Sequence, residues 1–167
     1  MNDTITIPLN DILKHVSPEA LTQELLARVQ TYSTAGQFPR IGAIWPSGGV
    51  YAGIVRGVNG APDAHLIVHG EEKEEISYGD AMKWATQLAE HEQKSWMLPT
   101  ESEHAVLLGN VPELFKREYY WSCEQYAADD AYAWCQGFSY GYQGTNPKSY
   151  HLRAKAVRRS PIYRSTN

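Results

Sequence analysis

The sequence predicts an α+β domain in which helices flank a twisted antiparallel sheet. Three observations predict it. Short strand-like runs separated by turn residues occupy residues 41–69. Helical signals follow over residues 77–115. From Tyr119 onward the chain breaks into brief aromatic pieces parted by glycine, asparagine and proline.

The first element is expected before that domain. Ser17-Pro18-Glu19 reads as a cap followed by proline at the first helical position. Leu21, Leu25 and Val29 then recur every four residues, with Leu26 and Tyr32 beside them, which makes one apolar stripe. Residues 1–36 are therefore expected as an N-terminal helical extension and residues 37–167 as the main domain. The stripe would pack on the domain or pair with a copy of itself, giving a homo-oligomer.

Strands are expected over residues 41–45, 50–56 and 64–69. Pro46-Ser47-Gly48-Gly49 supplies the first turn and Asn59-Gly60-Ala61-Pro62 the second. Residues 71–75, Glu-Glu-Lys-Glu-Glu, read as a charged loop. Ser77 opens a helix whose apolar face would be Ala81, Trp84, Ala85 and Leu88. In Trp96-Met97-Leu98-Pro99-Thr100-Glu101-Ser102-Glu103-His104, the chain stops at Pro99 and restarts as a helix. Thr100 can cap that helix, and Glu103 can reach back to the cap's own amide, a reciprocal capping box. The helix is expected to bury Ala105 and Leu107 or Leu108, and Pro112-Glu113-Leu114-Phe115 to add one more turn.

Three blocks in this order carry a resemblance: residues 96–104, Tyr120-Trp121-Ser122, and Arg153 to Arg158 around Val157. Together they resemble a family of bacterial and phage C-type-lectin-like domains, typified by the C-terminal domain of a collagen-like adhesin. The resemblance covers about residues 41–160. It implies a C-type-lectin-like fold with Trp96, Pro99, Thr100, Glu103, Trp121 and Arg158 as structural residues. It also implies a phage or prophage origin. Met97 replaces the family's arginine, His104 its leucine or tryptophan, and Cys123 follows Ser122. Leu98 to His104 is also distantly similar to the motif of the formylglycine-generating enzyme superfamily. The family has no single activity, so the resemblance speaks to fold more than to function.

Composition narrows the function classes. The chain has 167 residues, 43% of them apolar, which suits one domain with a real core. No run of 18 apolar residues occurs, so no membrane helix is expected. The start has neither a basic region nor an apolar run, so a cytoplasmic location is expected, with incorporation into a virion as the alternative. Residues 148–167 carry six basic side chains and no acid, while the rest carries nine basic and nineteen acidic ones. Such a basic end can be a nucleic-acid footprint. A net charge of −4 argues against that, and the expected use of these bases is to pair with the domain's own acids.

Catalytic and metal chemistry find little support. Cys123 and Cys135 have no activating neighbour in sequence and are expected as free thiols. His65 and His69 are four apart on a strand, and no Cys-x-x-Cys or His-Glu-x-x-His occurs. The calcium motif of sugar-binding lectins is absent, so neither a metal nor another cofactor is expected. The aromatic tail is the functional lead. Tyrosine and tryptophan anchor binding surfaces because they bury much area at little entropic cost. Residues 138–146 alternate aromatics with serine, glycine and glutamine, too polar for a core throughout. The expectation is a non-catalytic module that contacts a protein partner through Tyr140, Tyr142 and Asn146, with Tyr126 and Trp134 as weaker candidates. Carbohydrate is a lesser expectation and nucleic acid is not expected. The role would be a virion or receptor-binding accessory protein, or an intracellular inhibitor of a host system. The rival readings are an oxidase-like enzyme of the formylglycine-generating type and a nucleic-acid binder or mimic.

Overall fold

A computed structural model of the chain describes residues 38–92 and 94–162. The expected helix at residues 1–36, with its Leu21, Leu25 and Val29 stripe, lies outside them. The chain divides after Phe38, and every element below belongs to the unit that begins at Pro39.

Six strands and two helices make up the described domain. Strand β1 is Val50–Val55 and β2 is Ala64–Ile76. Helix α1 is Tyr78–Glu92, and α2 is Glu101–Asn110, followed by a 3-10 turn at Pro112–Leu114. Then come β3, Tyr119–Gln125; β4, Tyr132–Gly137; β5, Gln143–Pro147; and β6, Leu152–Pro161. They form one open sheet in the order β1-β2-β6-β3-β4-β5.

The sheet is mixed rather than antiparallel throughout. β6 runs antiparallel to β2 but parallel to β3, where Tyr120 faces Arg153. The last strand thus sits at the centre of the sheet. Two strand boundaries also differ from expectation. Residues 41–45 form a turn with a single bridge from Ile44 to Val50. Gly42 donates its N–H to the Tyr51 carbonyl at 2.8 Å, which folds this run back on β1 instead of extending it. Residues 71–75 are strand, not loop, because Glu72 and Lys73 pair with Lys155 and Ala154 of β6.

Alternation along the strands sends side chains to two buried faces. Leu66, Val68, Tyr120 and Val157 face α2 with Leu107, Val111, Phe115 and Phe138. Leu98, Trp121, Cys135 and Ala154 face α1 with Ala81 and Ala85, and Ile67, Trp96 and Ala156 continue that layer beside Trp84 and Leu88. The expected face of α1 is the one that packs. On α2, by contrast, Glu103, His104 and Leu107 are buried and Ala105 is exposed.

Both helix starts are capped by side chains. Ser77 Oγ accepts from the Asp80 N–H at 3.3 Å. Thr100 Oγ1 accepts from the Glu103 N–H at 3.2 Å, and Glu103 Oε2 accepts from the Thr100 N–H at 2.8 Å. This is the capping box that the sequence predicts.

Candidate functional site

The sequence flags two candidate surfaces, the basic closing strand and the aromatic tail. On β6 the bases are turned inward. Arg153 reaches Glu72, Glu74 and Glu118 at 2.7–3.0 Å with a side chain only 11% exposed. Arg158 lies over the Trp96 ring at 5.2 Å and donates to Ser47 Oγ and the Gly48 carbonyl. Arg159 grips both carboxylate oxygens of Glu103, which is buried at 3% exposure, and donates to Met97 Sδ at 2.8 Å. A bidentate arginine–carboxylate pair is among the stronger side-chain contacts. Arg159 therefore serves the capping-box glutamate from β6, while Met97 takes one of its remaining donors.

The other structural residues lock the same region. Trp96 donates Nε1–H to Glu92 at 2.8 Å, and Trp121 donates Nε1–H to the Ile76 carbonyl at 2.9 Å. Hydrogen bonds from His69 and Trp96 hold the Glu92 carboxyl down to about 2. Pro99 is fully buried, and its carbonyl accepts from the Cys123 N–H.

The aromatic tail divides differently. Phe138 is buried at the root of the β4–β5 loop, stacked on Phe115 at 4.0 Å and edge-on to Tyr120 and His104. Its N–H donates to the Glu118 carbonyl, and the Gly137 N–H donates to the Tyr142 carbonyl at 2.8 Å. Gly141 turns the chain with φ of 75°, which glycine adopts without a Cβ penalty. On this anchored base Tyr140 is 95% exposed and Tyr142 63%.

Tyr142 lies across Gly144: a Cβ built there would meet the Tyr142 ring and hydroxyl at 2.5–2.9 Å. Tyr119 pairs with Gly137, and its ring would meet a Cβ there at 3.0–3.4 Å. Each of the two rings thus lies over a glycine, Tyr119 over Gly137 and Tyr142 over Gly144, and Tyr119 is 42% exposed. Sequence reasoning missed Tyr119. Alternation gives no signal for it, since Trp121 on the same face is fully buried; Tyr119 is exposed because it is the first residue of β3.

The structure does not gather every expected residue here. Asn146 is half-buried and donates Nδ2–H to Cys135 Sγ at 3.1 Å, so its amide points into the sheet. Tyr126 and Trp134 are half-buried and pack edge-on against each other at 5.8 Å, Trp134 being in the half of β4 away from the loop. A second concave feature went unread in the sequence. It is a groove of about 650 Å³ between the β1–β2 loop and the start of α2. Exposed Ile54 and Val58 form its apolar lip, and Thr100, Glu124 and Arg159 its polar wall.

Burial pushes the thiols of Cys123 and Cys135 up, away from the thiolate form. Among the described residues no group of three or more His, Cys, Asp or Glu side chains could hold a metal ion, and no helix is long and apolar enough to cross a membrane. No family model matches the chain, and no curated protein matches it in sequence.

Proposed function

We propose that this protein is a non-catalytic binding module of C-type-lectin-like architecture whose contact surface is the tyrosine loop between β4 and β5, and that its partner is a protein. The observation that carries the reading is the contrast within five residues. Phe138 is locked into the core while Tyr140 and Tyr142 stand in solvent. Large exposed aromatics on a pre-ordered base lose little entropy on docking, which is how binding anchors work. The architecture is supported by the pairing of β6 with both β2 and β3, and by a helix on each face of the sheet. The raised thiols weigh against an oxidase that needs an activated cysteine. The paired arginines of β6 weigh against a polyanion footprint, since phosphate binding needs uncommitted cations. The role that fits is a virion accessory protein or an inhibitor of a host system.

Site-specific photo-crosslinking tests this. A photoreactive phenylalanine analogue is placed at Tyr140, at Tyr142, and at the exposed Thr86 of α1 as a control. In the native host the two loop positions should give the same protein adduct and Thr86 none. Equal adducts at all three positions, or none at the loop, would overturn the reading.

A further inference from the structure

Lys155 lies in the middle of β6 with its side chain 8% exposed. Register sets it opposite Glu72 of β2, with which it forms an ion pair at 3.7 Å, longer than a hydrogen bond. Glu72 is already committed. Its Oε1 accepts from Arg153 at 3.0 Å and its Oε2 from the Tyr120 hydroxyl at 3.0 Å. The Phe115 ring, 5.8 Å from the amine, offers a π face but no acceptor oxygen. An ammonium carries three donors, and those not directed at Glu72 open on the space beside it. Among the described residues nothing accepts from Lys155 within 3.5 Å.

Space lies next to this amine. A cavity of about 330 Å³ opens over it, walled by Phe115 and Leu114 and rimmed by Gly70, Glu113 and Lys116. A Cβ built at Gly70 would meet nothing within 4 Å, so the rim is open there. We propose that this cavity binds a small carboxylate, whose oxygens take the free donors of Lys155 and the charge of Lys116. Size and charge choose the class. The volume is at the small end of ligand sites. Glu72 and Glu113 also line it, which disfavours a dianion more than a monoanion. Burial weakens Lys155's hold on its proton, Glu72 opposes this, and Lys116 adds the smallest part; a bound anion would act in the same sense as Glu72.

The carboxylate could belong to a free metabolite or to the end of a partner's chain, and one experiment separates these sources. The amide signals of Gly70, Lys116 and Lys155 in the isotope-labelled full chain are followed at constant ionic strength. Acetate is titrated against chloride, then inorganic phosphate, then a tripeptide with a free or an amidated C-terminus. Acetate should give saturable shifts, at least tenfold weaker in Lys155→Met and unchanged in Lys83→Met. A free-ended tripeptide that binds tighter than acetate assigns a chain end. One that binds no tighter assigns a metabolite. Lys116→Ala, an exposed change, should weaken acetate severalfold and keeps the test decisive if Lys155→Met fails to fold. Shifts that do not saturate, shifts that survive both substitutions, or phosphate binding tighter than acetate would overturn the proposal.

Discussion

The closing strand and the tyrosine loop invert the usual assignment of charge to the surface and aromatics to the core. Arg153, Lys155 and Arg158 are largely buried, while Tyr140 and Tyr142 are among the most exposed large side chains of the domain. What decides is the supply of partners. β6 sits centrally between β2 and β3, so its long side chains meet Glu72, Glu74, Glu103 and Glu118 from neighbouring elements. The loop sits where the sheet has run out of neighbours. Side-chain type alone is therefore a poor guide to a binding face, and uncommitted side chains are a better one.

The sharpest way to break this comparison is to unpair the strand. Arg159→Met leaves the Glu103 carboxylate buried without its cation. Breaking a fully buried pair costs about 3 kcal/mol or more, but Arg159 is 35% exposed and Glu103 keeps its bond from the Thr100 N–H, so the expected loss is about 2 kcal/mol. Urea unfolding should show that loss. A stability within error of the parent would make Arg159 an ordinary surface base and return β6 to the list of binding faces.

The second test addresses the base of the loop. His104 is fully buried against Phe138, neither ring nitrogen has a partner among the described residues, and burial drives its pKa down to about 3. Between about pH 6.5 and 3 the unfolded chain binds a proton there that the folded chain does not. Stability should therefore fall as pH drops through this window, by up to about 1.4 kcal/mol per unit. His65 is lowered by burial too and acts in the same direction, so the comparison must be with His104→Leu. Between pH 7 and 5 that variant should lose less stability than the parent. Identical slopes would mean that His104 finds a partner and that the loop rests on a polar contact.

How much of this was legible depended on range. Thr100 and Glu103 were readable because both halves of a capping box lie within four residues. Ser77 and the Ala81–Ala85 face were local in the same way. Residues 71–75 read as a loop because five charges in a row have no local reason to be a strand. Their reason is β6, about eighty residues away, whose Lys155 faces Glu72. The parallel contact of Tyr120 with Arg153 is equally non-local. In the tail, composition said that some aromatics must be core and some surface. Register alone divided them, sending Tyr120 and Trp121 into opposite cores and leaving Tyr119 at the edge. The cavity beside Lys155 had no sequence signature at all.

A smaller effect sharpens the role of the helix start that Arg159 supports. Thr100→Ala removes one of the two reciprocal bonds of the capping box and should cost about 1 kcal/mol. Thr100 also borders the 650 Å³ groove, so the unfolding midpoint is the readout that isolates the cap. No change in that midpoint would show that Glu103 and Arg159 hold the helix start without it.

The smallest expected effect on stability carries the most information about the loop. Gly144→Ala keeps every tyrosine but puts a methyl group where the Tyr142 ring now rests. The three nearest atoms to that methyl all belong to Tyr142, whose ring is free to swing outward because it is 63% exposed. The folded state should absorb the change by moving the ring. The reduced backbone freedom of alanine in the unfolded chain partly offsets the cost, so stability should shift by less than about 1 kcal/mol. Affinity for the partner found at Tyr140 should fall as it does for Tyr142→Ala, by about thirtyfold if the ring contributes about 2 kcal/mol. Unchanged affinity would show that the position of Tyr142 over Gly144 does not matter. The contact surface would then reduce to Tyr140 alone, too small an anchor to set apart from any other exposed side chain. A large loss of stability would place the Tyr142 ring in the fold's own packing and remove the contrast with β6 on which the binding assignment stands.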